Sequence, residues 1–339
     1  MEWVRGKTIG HGSFAAVSIA KPTNNSSGLP PVIAVKSCAA SLAASLMNER
    51  MILEQLNDCP NIIRCFGDSV TVENGEKLYN VALEYASGGA LSEKQQLSEY
   101  KIRQYTNSIL KGLQFIHRNE IVHCDIKLQN VLVVSDGVKE SVKIADFGLA
   151  KKVVHGSNSK FEIRGTPMYL APETVTGGEQ DAPSDIWALG CLVTEMITGK
   201  PVWNCADVSA LLMKIGVGAE IPEIPGKLSD DGKDFLSKCF LKDPKKRWTA
   251  EMLLNHPFVN AGALEGEAED QISPRDPFGF LDWESEQSGS MGSMTPKLDC
   301  WVGAEGFGSG SILPERRLGQ LLTEQKPNWS VSDSWVNVR

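Results

Sequence analysis

Short runs of β-branched and apolar residues, separated by Gly, Pro or Asn, dominate the first 97 residues of the chain. The runs extend over Val4 to Ile9, Ala15 to Ala20, Val32 to Ser37 and Leu78 to Tyr85, and each predicts a strand. Between the third and fourth runs, from Leu42 to Leu56, apolar residues recur at approximately helical spacing. The pattern therefore predicts a small, strand-rich lobe with one helix.

From about residue 98 to residue 260 the apolar spacing becomes helical. The predicted helices are Tyr100 to His117, Pro183 to Thr198, Asp207 to Ile215, Gly232 to Phe240 and Thr249 to Asn255. We therefore expect an α+β fold with two lobes. The smaller lobe covers about residues 1–86, and the larger, mainly helical lobe covers about residues 87–260.

Residues 261–339 have a different composition, rich in Gly and Ser. They contain 13 acidic and 6 basic residues, so nearly all of the chain's net charge of -8 is located there. We expect a mostly disordered tail. It nevertheless contains half of the eight tryptophans, and exposed aromatic residues tend to mark contacts. The segment near residues 327–339 is therefore a candidate docking segment, for the folded domain or for a partner.

The overall composition limits the classes of function. The content of 42% hydrophobic and 22% charged residues is typical of a globular protein, and the net charge of -8 argues against a nucleic-acid partner. Eight cysteines without a CxxC pair predict reduced thiols. No stretch has the apolar length of a secretory signal or a membrane span. We expect a soluble protein of the cytoplasm or nucleus, without a membrane partner, acting as a monomer or in transient complexes.

Two strings carry the most specific chemistry, HCDIKLQN from His123 to Asn130 and DFG beginning at Asp146. Asp125 is suited to lie beside an acceptor hydroxyl, and Lys127 can neutralise charge on a transferring phosphoryl group. Asn130 and Asp146 supply the oxygen ligands that Mg²⁺ prefers. Together these residues predict phosphoryl transfer to an alcohol.

A glycine-containing hairpin precedes these strings in the small lobe. It reads Gly10-His11-Gly12-Ser13-Phe14-Ala15-Ala16-Val17, a context in which backbone N–H groups can cover nucleotide phosphates. Taken alone the pattern also fits an ordinary hairpin turn. Ala15 occupies the place of the usual third glycine.

A lysine ends the next predicted strand, IAVK, at Lys36. In a phosphoryl-transfer enzyme it would reach the α and β phosphates and pair with a glutamate on the helix of the small lobe. Glu49 fits best because the apolar triplet after it would face the core. Glu54 is the alternative, since helix phase is uncertain from sequence.

The fourth predicted strand ends in Leu83-Glu84-Tyr85-Ala86 and is followed by a Gly pair. This transition is where a hinge between two lobes is expected. The backbone of Glu84 and Ala86 would then hydrogen-bond adenine, and Leu83 would line the back of the pocket. A strand that runs into a turn is the alternative.

A polar segment, Lys151 to Arg164, follows the DFG string and contains Ser157 and Ser159. Its composition predicts a mobile loop suited to regulatory phosphorylation. The string GTPMYLAPE then contains Thr166, a candidate for the shelf that receives a substrate. Its last residue, a glutamate, is a candidate ion-pair partner of the arginine at position 247.

These motifs, in this order, resemble those of the eukaryotic protein kinase family over about residues 3–259. Lys127 and Thr166 resemble its serine/threonine branch. Within that branch, Glu84 to Gly89 (EYASGG), Cys124 to Asn130 (CDIKLQN) and Asp185 to Cys191 (DIWALGC) are similar to plant MEKK-like mitogen-activated protein kinase kinase kinases. The C-terminal WVNVR is similar to a short-chain subgroup of them.

The resemblance implies the two-lobed kinase fold, with an antiparallel sheet in the small lobe and a kinase domain over residues 1–260. It implies the use of ATP and Mg²⁺, phosphorylation of Ser or Thr on a downstream kinase kinase, and a role in stress signalling. It also implies that Ile9, Ala34 and Leu132 line the nucleotide site.

Two departures from the family pattern affect this interpretation. Cys124 replaces an arginine that pairs with an activation-loop phosphate in many kinases, so we expect activity to depend little on phosphorylation of Ser157 or Ser159. Only ten residues separate Gly89 from Tyr100, fewer than the family uses for the first helix beside the hinge. We therefore expect an incomplete lip of the nucleotide cleft.

Two other functions compete with the protein kinase. A pseudokinase scaffold would bind partners without transferring phosphate, and Cys124 and Ala15 are its only support in the sequence. A small-molecule kinase is disfavoured because the string from Thr166 to Glu173 is typical of a peptide-binding shelf.

Overall fold

The structure is a computed structural model, and it describes residues 2–260 except 13–14, 24–27, 95, 136, 138–139, 154–162, 178–179 and 219. The acidic tail and its candidate docking segment lie outside the described residues. So do Ser13 and Phe14 of the hairpin and the two candidate regulatory serines, Ser157 and Ser159. No helix among the described residues is long and apolar enough to cross a membrane.

The small lobe is a five-stranded antiparallel sheet with one α-helix, in the order β1-β2-β3-β5-β4. Its elements are β1 Trp3–His11, β2 Ala16–Pro22, β3 Ile33–Ala39, α1 Ala44–Gln55, β4 Cys65–Glu73 and β5 Glu76–Glu84. Four of the strands and the helix correspond to predicted elements. The predicted two-lobed α+β fold with an antiparallel small lobe is confirmed.

Strand β4 was not predicted, because its amphipathic pattern is inverted. Val70 and Val72 are exposed, with 52% and 72% of their surface accessible. Thr71 and Glu73, on the opposite face, join a polar network. An apolar face is normally the buried one, so this strand lacks the usual signal.

The large lobe is mainly helical. Its helices are α2 Glu99–Arg118, α3 Pro172–Thr176, α4 Ala182–Thr198, α5 Val208–Gly216, α6 Asp230–Cys239, α7 Ala250–Leu254 and α8 Pro257–Asn260. The lobe also contains two short antiparallel ribbons. They are β6 Ile121–Val122 with β9 Lys151–Lys152, and β7 Val131–Ser135 with β8 Glu140–Ile144. These ribbons carry the loops that contain the two chemical strings.

Helix α4 is the centre of the large lobe. Twelve of its residues are buried, since it is apolar on nearly every face. The Asp181 side chain caps its first turn, and Gly199, with φ of 64°, ends it in a left-handed conformation that costs a glycine little. The predicted ion pair also lies here, since both Nη atoms of the fully buried Arg247 side chain donate to Glu173, at 2.6 and 3.0 Å.

The segment between the hinge and α2 is short, as its spacing predicts. Its described residues form one 3-10 turn, Leu91–Glu93, and no α-helix. Helix α2 then begins at Glu99, where the Ser98 side chain accepts the N–H of Lys101. The side of the cleft next to the hinge is therefore built by a single turn.

A polar network joins the two edge strands of the small-lobe sheet. Arg5 on β1 donates two hydrogen bonds of 2.9 Å to the carboxylate of Glu73 on β4. It also donates to Ser37 on β3 at 3.0 Å and to Asn80 on β5 at 2.9 Å. Asn80 is almost fully buried. One guanidinium therefore cross-links strands that share no ladder with β1.

Replacing Arg5 with Met should lower the free energy of unfolding by about 1–3 kcal/mol, because the buried oxygen of Asn80 loses its charged donor. The bond from Arg5 lowers the pKa of Glu73. The contribution of the Arg5–Glu73 bond to the free energy of unfolding is therefore fully present above the pKa of Glu73 in the unfolded chain. It is lost as the pH falls through the lower pKa of Glu73 in the folded protein. Chemical denaturation of both proteins across acid pH measures these effects.

The matched control is Arg118→Met. Arg118 pairs with Glu251, but both side chains are more than half exposed, so this change should alter the free energy of unfolding by less than about 0.5 kcal/mol. Equal losses for the two variants would contradict a structural role of the Arg5 network.

Candidate active site

The loop that follows β6 is fixed to helix α4 by a buried carboxylate. Asp185 accepts the backbone N–H of His123 at 2.9 Å and that of Cys124 at 3.0 Å, and it pairs with the His117 ring at 2.9 Å. Asp185 is 1% exposed. These bonds hold Cys124 at φ 67°, an uncommon conformation for a non-glycine residue.

The same loop orders His123 next to the DFG string. The backbone N–H of Asp125 donates to Nδ1 of His123 at 3.2 Å, so Nε2 carries the proton and donates to the carbonyl of Ala145 at 3.1 Å. The His123 ring also packs edge to face against the Phe147 ring, with 4.8 Å between the two ring centroids. The two chemical strings are thus fixed to each other.

Three predicted residues converge on one carboxylate, that of Asp125. Its Oδ1 accepts the backbone N–H of Thr166 at 2.9 Å and the Thr166 hydroxyl at 2.7 Å. Its Oδ2 accepts Nδ2 of Asn130 and Nζ of Lys127, both at 2.9 Å. Lys127 also donates to the Thr166 hydroxyl at 2.8 Å. These contacts hold the carboxylate in one orientation.

The lysine of β3 lies between two carboxylates. Nζ of Lys36 is 2.7 Å from Glu49 on α1 and 2.9 Å from Asp146. The other oxygen of Glu49 accepts the N–H of Phe147. The alternative partner, Glu54, pairs instead with Arg50 on the surface of the same helix. The structure thus places Glu49, and not Glu54, against Lys36.

The charges in this triad determine its ionisation. Burial opposes the charged form of Lys36, but Asp146 and Glu49 outweigh it and raise the pKa of Lys36. Desolvation likewise opposes ionisation of Asp146, yet Lys36 lowers the pKa of Asp146 to about 2. Asp146 is therefore a carboxylate at neutral pH, as a metal ligand must be.

Asn130 and Asp146 fit a divalent cation. Both hydrogen bonds of the Asn130 side chain are donated by its Nδ2, to the carboxylate and carbonyl of Asp125, which leaves Oδ1 as a ligand atom. The Asp146 side chain is 40% exposed. Amide and carboxylate oxygens of this kind suit Mg²⁺.

The predicted nucleotide residues lie on the strands that enclose the cleft. Ile9 and Gly10 lie near the end of β1, which His11 ends. The N–H of Gly12 donates to the carbonyl of Ala15 at 2.8 Å, which closes the described part of the hairpin. His11 pairs with Ala16, and Gly10 pairs with Val17. The hairpin predicted from the glycines is therefore present.

The other predicted nucleotide residues lie on β3, β5 and β7 or directly after β5. Ala34 pairs directly with Leu83, and Leu132 lies on β7. The N–H of Glu84 already donates to the carbonyl of Arg64 at 2.8 Å. An adenine contact at Glu84 would therefore use its carbonyl oxygen, and Ala86 follows in the hinge.

Two residues of the site escaped sequence reasoning, Asp185 and Gln180. An aspartate in the first turn of an apolar helix is typical of a cap, so the pattern did not mark Asp185 as the anchor of a loop 60 residues earlier in the chain. Gln180 holds the backbone of Arg164 from a polar stretch without any periodic signal. Both act through backbone groups, which residue identity does not reveal.

Comparison with known proteins agrees with this geometry. The family model of the protein kinase domain matches residues 3–259. The chain therefore belongs to the protein kinase family, and its site and relatives identify it as a serine/threonine protein kinase.

The relatives are mitogen-activated protein kinase kinase kinases. Number 20 of Arabidopsis thaliana is 48% identical over the whole of both chains. Number 17 of the same plant is 41% identical over 76% of this chain and 70% of its own. Protein A of Dictyostelium discoideum is 34% identical over 76% of this chain and 28% of its own. The resemblance to the plant MEKK-like group is confirmed.

Replacing Glu49 with Gln should lower kcat/KM about tenfold or more and raise the KM for ATP, because Lys36 loses the charge that positions it. Glu54→Gln on the same helix should leave both values within about twofold, since Glu54 is exposed and pairs only with Arg50 among the described residues. Steady-state kinetics with varied ATP checks this. A larger effect of the Glu54 variant would show that the assigned pair is wrong.

Proposed function

We propose that this protein is a mitogen-activated protein kinase kinase kinase, which transfers the γ-phosphoryl group of ATP to Ser or Thr of a downstream kinase kinase. The convergence of Lys127, Asn130 and Thr166 on Asp125, next to the Lys36–Glu49–Asp146 triad, is the observation that carries it. The full-length similarity to a kinase of that name supports the tier in the cascade.

The residues divide the reaction between them. Asp125 accepts the proton of the acceptor hydroxyl while the oxygen of that hydroxyl attacks the γ-phosphorus. The bond between the γ-phosphorus and the oxygen that links it to the β-phosphate breaks, and ADP is released. Lys127 stabilises charge on the transferring group, and its bond to Thr166 keeps it beside the acceptor. Lys36 holds the α and β phosphates.

Asn130 and Asp146 would hold Mg²⁺, which neutralises charge on the β and γ phosphates when it is bound. Ile9, Val17, Ala34, Leu83 and Leu132 would enclose the adenine. The hinge backbone at Glu84 and Ala86 would hydrogen-bond it.

The cellular setting that we propose is a reducing compartment. The seven cysteines among the described residues are free thiols, which suits a reducing compartment such as the cytoplasm or nucleus. We propose a stress-signalling role there, as a monomer in transient complexes with its substrate.

Nothing in the site favours a pseudokinase. The groups that the transfer needs are present and oriented, and the two residues that could support a pseudokinase, Cys124 and Ala15, replace none of them. The Cys124 thiol donates to the carbonyl of Val122 at 3.6 Å. Ala15 closes its hairpin through its carbonyl, a group that glycine also has.

Asp146→Asn should reduce phosphate transfer by at least about 100-fold, because the cation loses a charged ligand. Asp58→Asn, an exposed aspartate of the small lobe, is the matched control and should retain wild-type rates. The assay is transfer from Mg-ATP to a panel of catalytically inactive kinase kinases, with the full-length protein. Binding of a kinase kinase by the wild type without phosphate transfer, and unchanged binding by Asp146→Asn, would support the scaffold instead.

The same assay on a chain that ends at residue 260 tests the tail. A faster rate for the shorter chain would indicate inhibition by the tail, and equal rates would remove that idea.

A further inference from the structure

The polar segment from Lys151 to Arg164, with Gly165 and Thr166 after it, is called the activation segment below. One side chain, that of Gln180, binds both backbone polar groups of Arg164 in this segment. Nε2 of Gln180 donates to the carbonyl of Arg164 at 2.8 Å, and its Oε1 accepts the N–H of Arg164 at 3.3 Å. Gln180 is 7% exposed and directly precedes Asp181, the cap of α4. The amide thus ties the activation segment to the most buried helix of the lobe.

The next residue, Gly165, packs against the loop from His123 to Asn130, called the catalytic loop below. Gly165 has φ of 106°, and a Cβ at this position would lie 2.2 Å from the carbonyl oxygen of Cys124. No side chain fits there without displacing one of the two backbones. This close approach requires a fixed distance between the backbone of the segment at Gly165 and the backbone of the loop at Cys124.

Thr166 then completes the connection through its two bonds to Asp125. Only one residue lies between the Gln180 clamp and the Thr166 contact. A shift of Arg164 would therefore move the hydroxyl that orients both Asp125 and Lys127, the groups that handle the acceptor. The nucleotide side, formed by Lys36, Glu49 and Asp146, is not part of this chain of contacts.

The position where a phosphate-binding arginine would stand carries no charge. Cys124 is 7% exposed, and burial, with the charge of Asp185, raises the pKa of its thiol, so it stays neutral. Cys124, Thr166 and Gln180 line the same small cavity. The neutral thiol and the amide clamp are therefore neighbours in one space.

We propose that Gln180 is a positioning residue for the phosphoacceptor side of the active site. Its neutral hydrogen bonds to Arg164 order Arg164 to Thr166 on the catalytic loop, so that this order does not require a phosphate on the activation segment. The inference rests on the proposed kinase function and specifies how its acceptor side is regulated.

Gln180→Met is the main test, since Met has similar length and removes both hydrogen bonds. The loss of two such hydrogen bonds corresponds to roughly a tenfold decrease in kcat/KM. We expect kcat/KM for the protein substrate to fall by that factor while the KM for ATP changes less than twofold. Tryptic cleavage after Arg164 should become faster, because its backbone is released.

Asn57→Leu provides a matched control. Asn57 makes the same two-point amide clamp on the backbone of Cys65, with both bonds at 2.9 Å, in the small lobe. It should cost comparable stability without changing the KM for the protein substrate or the cleavage after Arg164. Equal kinetic profiles of the two variants would reduce Gln180 to a structural role and overturn the proposal.

Gln180→Glu gives a readout that a purely structural role would not. A carboxylate can accept the N–H of Arg164 but repels its carbonyl oxygen, whereas a protonated Glu can donate to it. Its activity relative to wild type should therefore be low at pH 8 and rise toward pH 6. A ratio independent of pH would contradict the clamp.

Phosphatase treatment of the full-length wild-type protein completes the experiment. We expect activity to stay within about twofold of the untreated protein, and loss of most activity would overturn the inference. If the wild type phosphorylates a generic protein acceptor but no kinase kinase, the proposed place in the cascade is wrong. The effect of Gln180→Met on kcat/KM is then measured with the generic acceptor. If the wild type phosphorylates nothing, the kinase function fails, and unchanged tryptic cleavage in Gln180→Met would reject the clamp independently.

Discussion

The buried carboxylate of Asp185 is the interaction on which the rest of the site depends. A charge that is 1% exposed is costly unless donors surround it, and here the N–H groups of His123 and Cys124 and the ring of His117 surround it. Because α4 is buried on nearly every face, the carboxylate cannot move with the loop. The loop is instead fixed to the core, and Asp125 receives its orientation from there.

The second constraint connects the lobes. Lys36 belongs to the small lobe, and Asp146 belongs to the loop after β8 in the large lobe. Glu49 reaches both, through Lys36 and through the N–H of Phe147. Burial raises the pKa of Glu49 and Lys36 opposes that effect, so the lysine favours the ionised form of the glutamate. The position of α1 and the phosphate-binding lysine are therefore coupled.

The sequence was sufficient where chemistry depends on side-chain identity. The residues of the HCDIKLQN and DFG strings could be predicted because few other roles need those types at that spacing, and helix phase favoured Glu49 through the apolar residues beside it. Strand β4 could not be predicted, because its valines face solvent and its polar residues face Arg5. Asp185 and Gln180 bind backbone atoms of distant segments, and no local pattern encodes such contacts.

The charge around Cys124 explains why an amide suits the neighbouring position. Burial raises the pKa of its thiol, but Lys151 and Arg164 lie close enough to oppose that effect. An arginine at position 124 would be a third cation there, and the nearby carboxylates of Asp185 and Asp125 already accept hydrogen bonds from other groups, so it would require a further anion. A thiol avoids that requirement. The segment above it can then be held by hydrogen bonds whose strength changes little with salt or with the supply of phosphate.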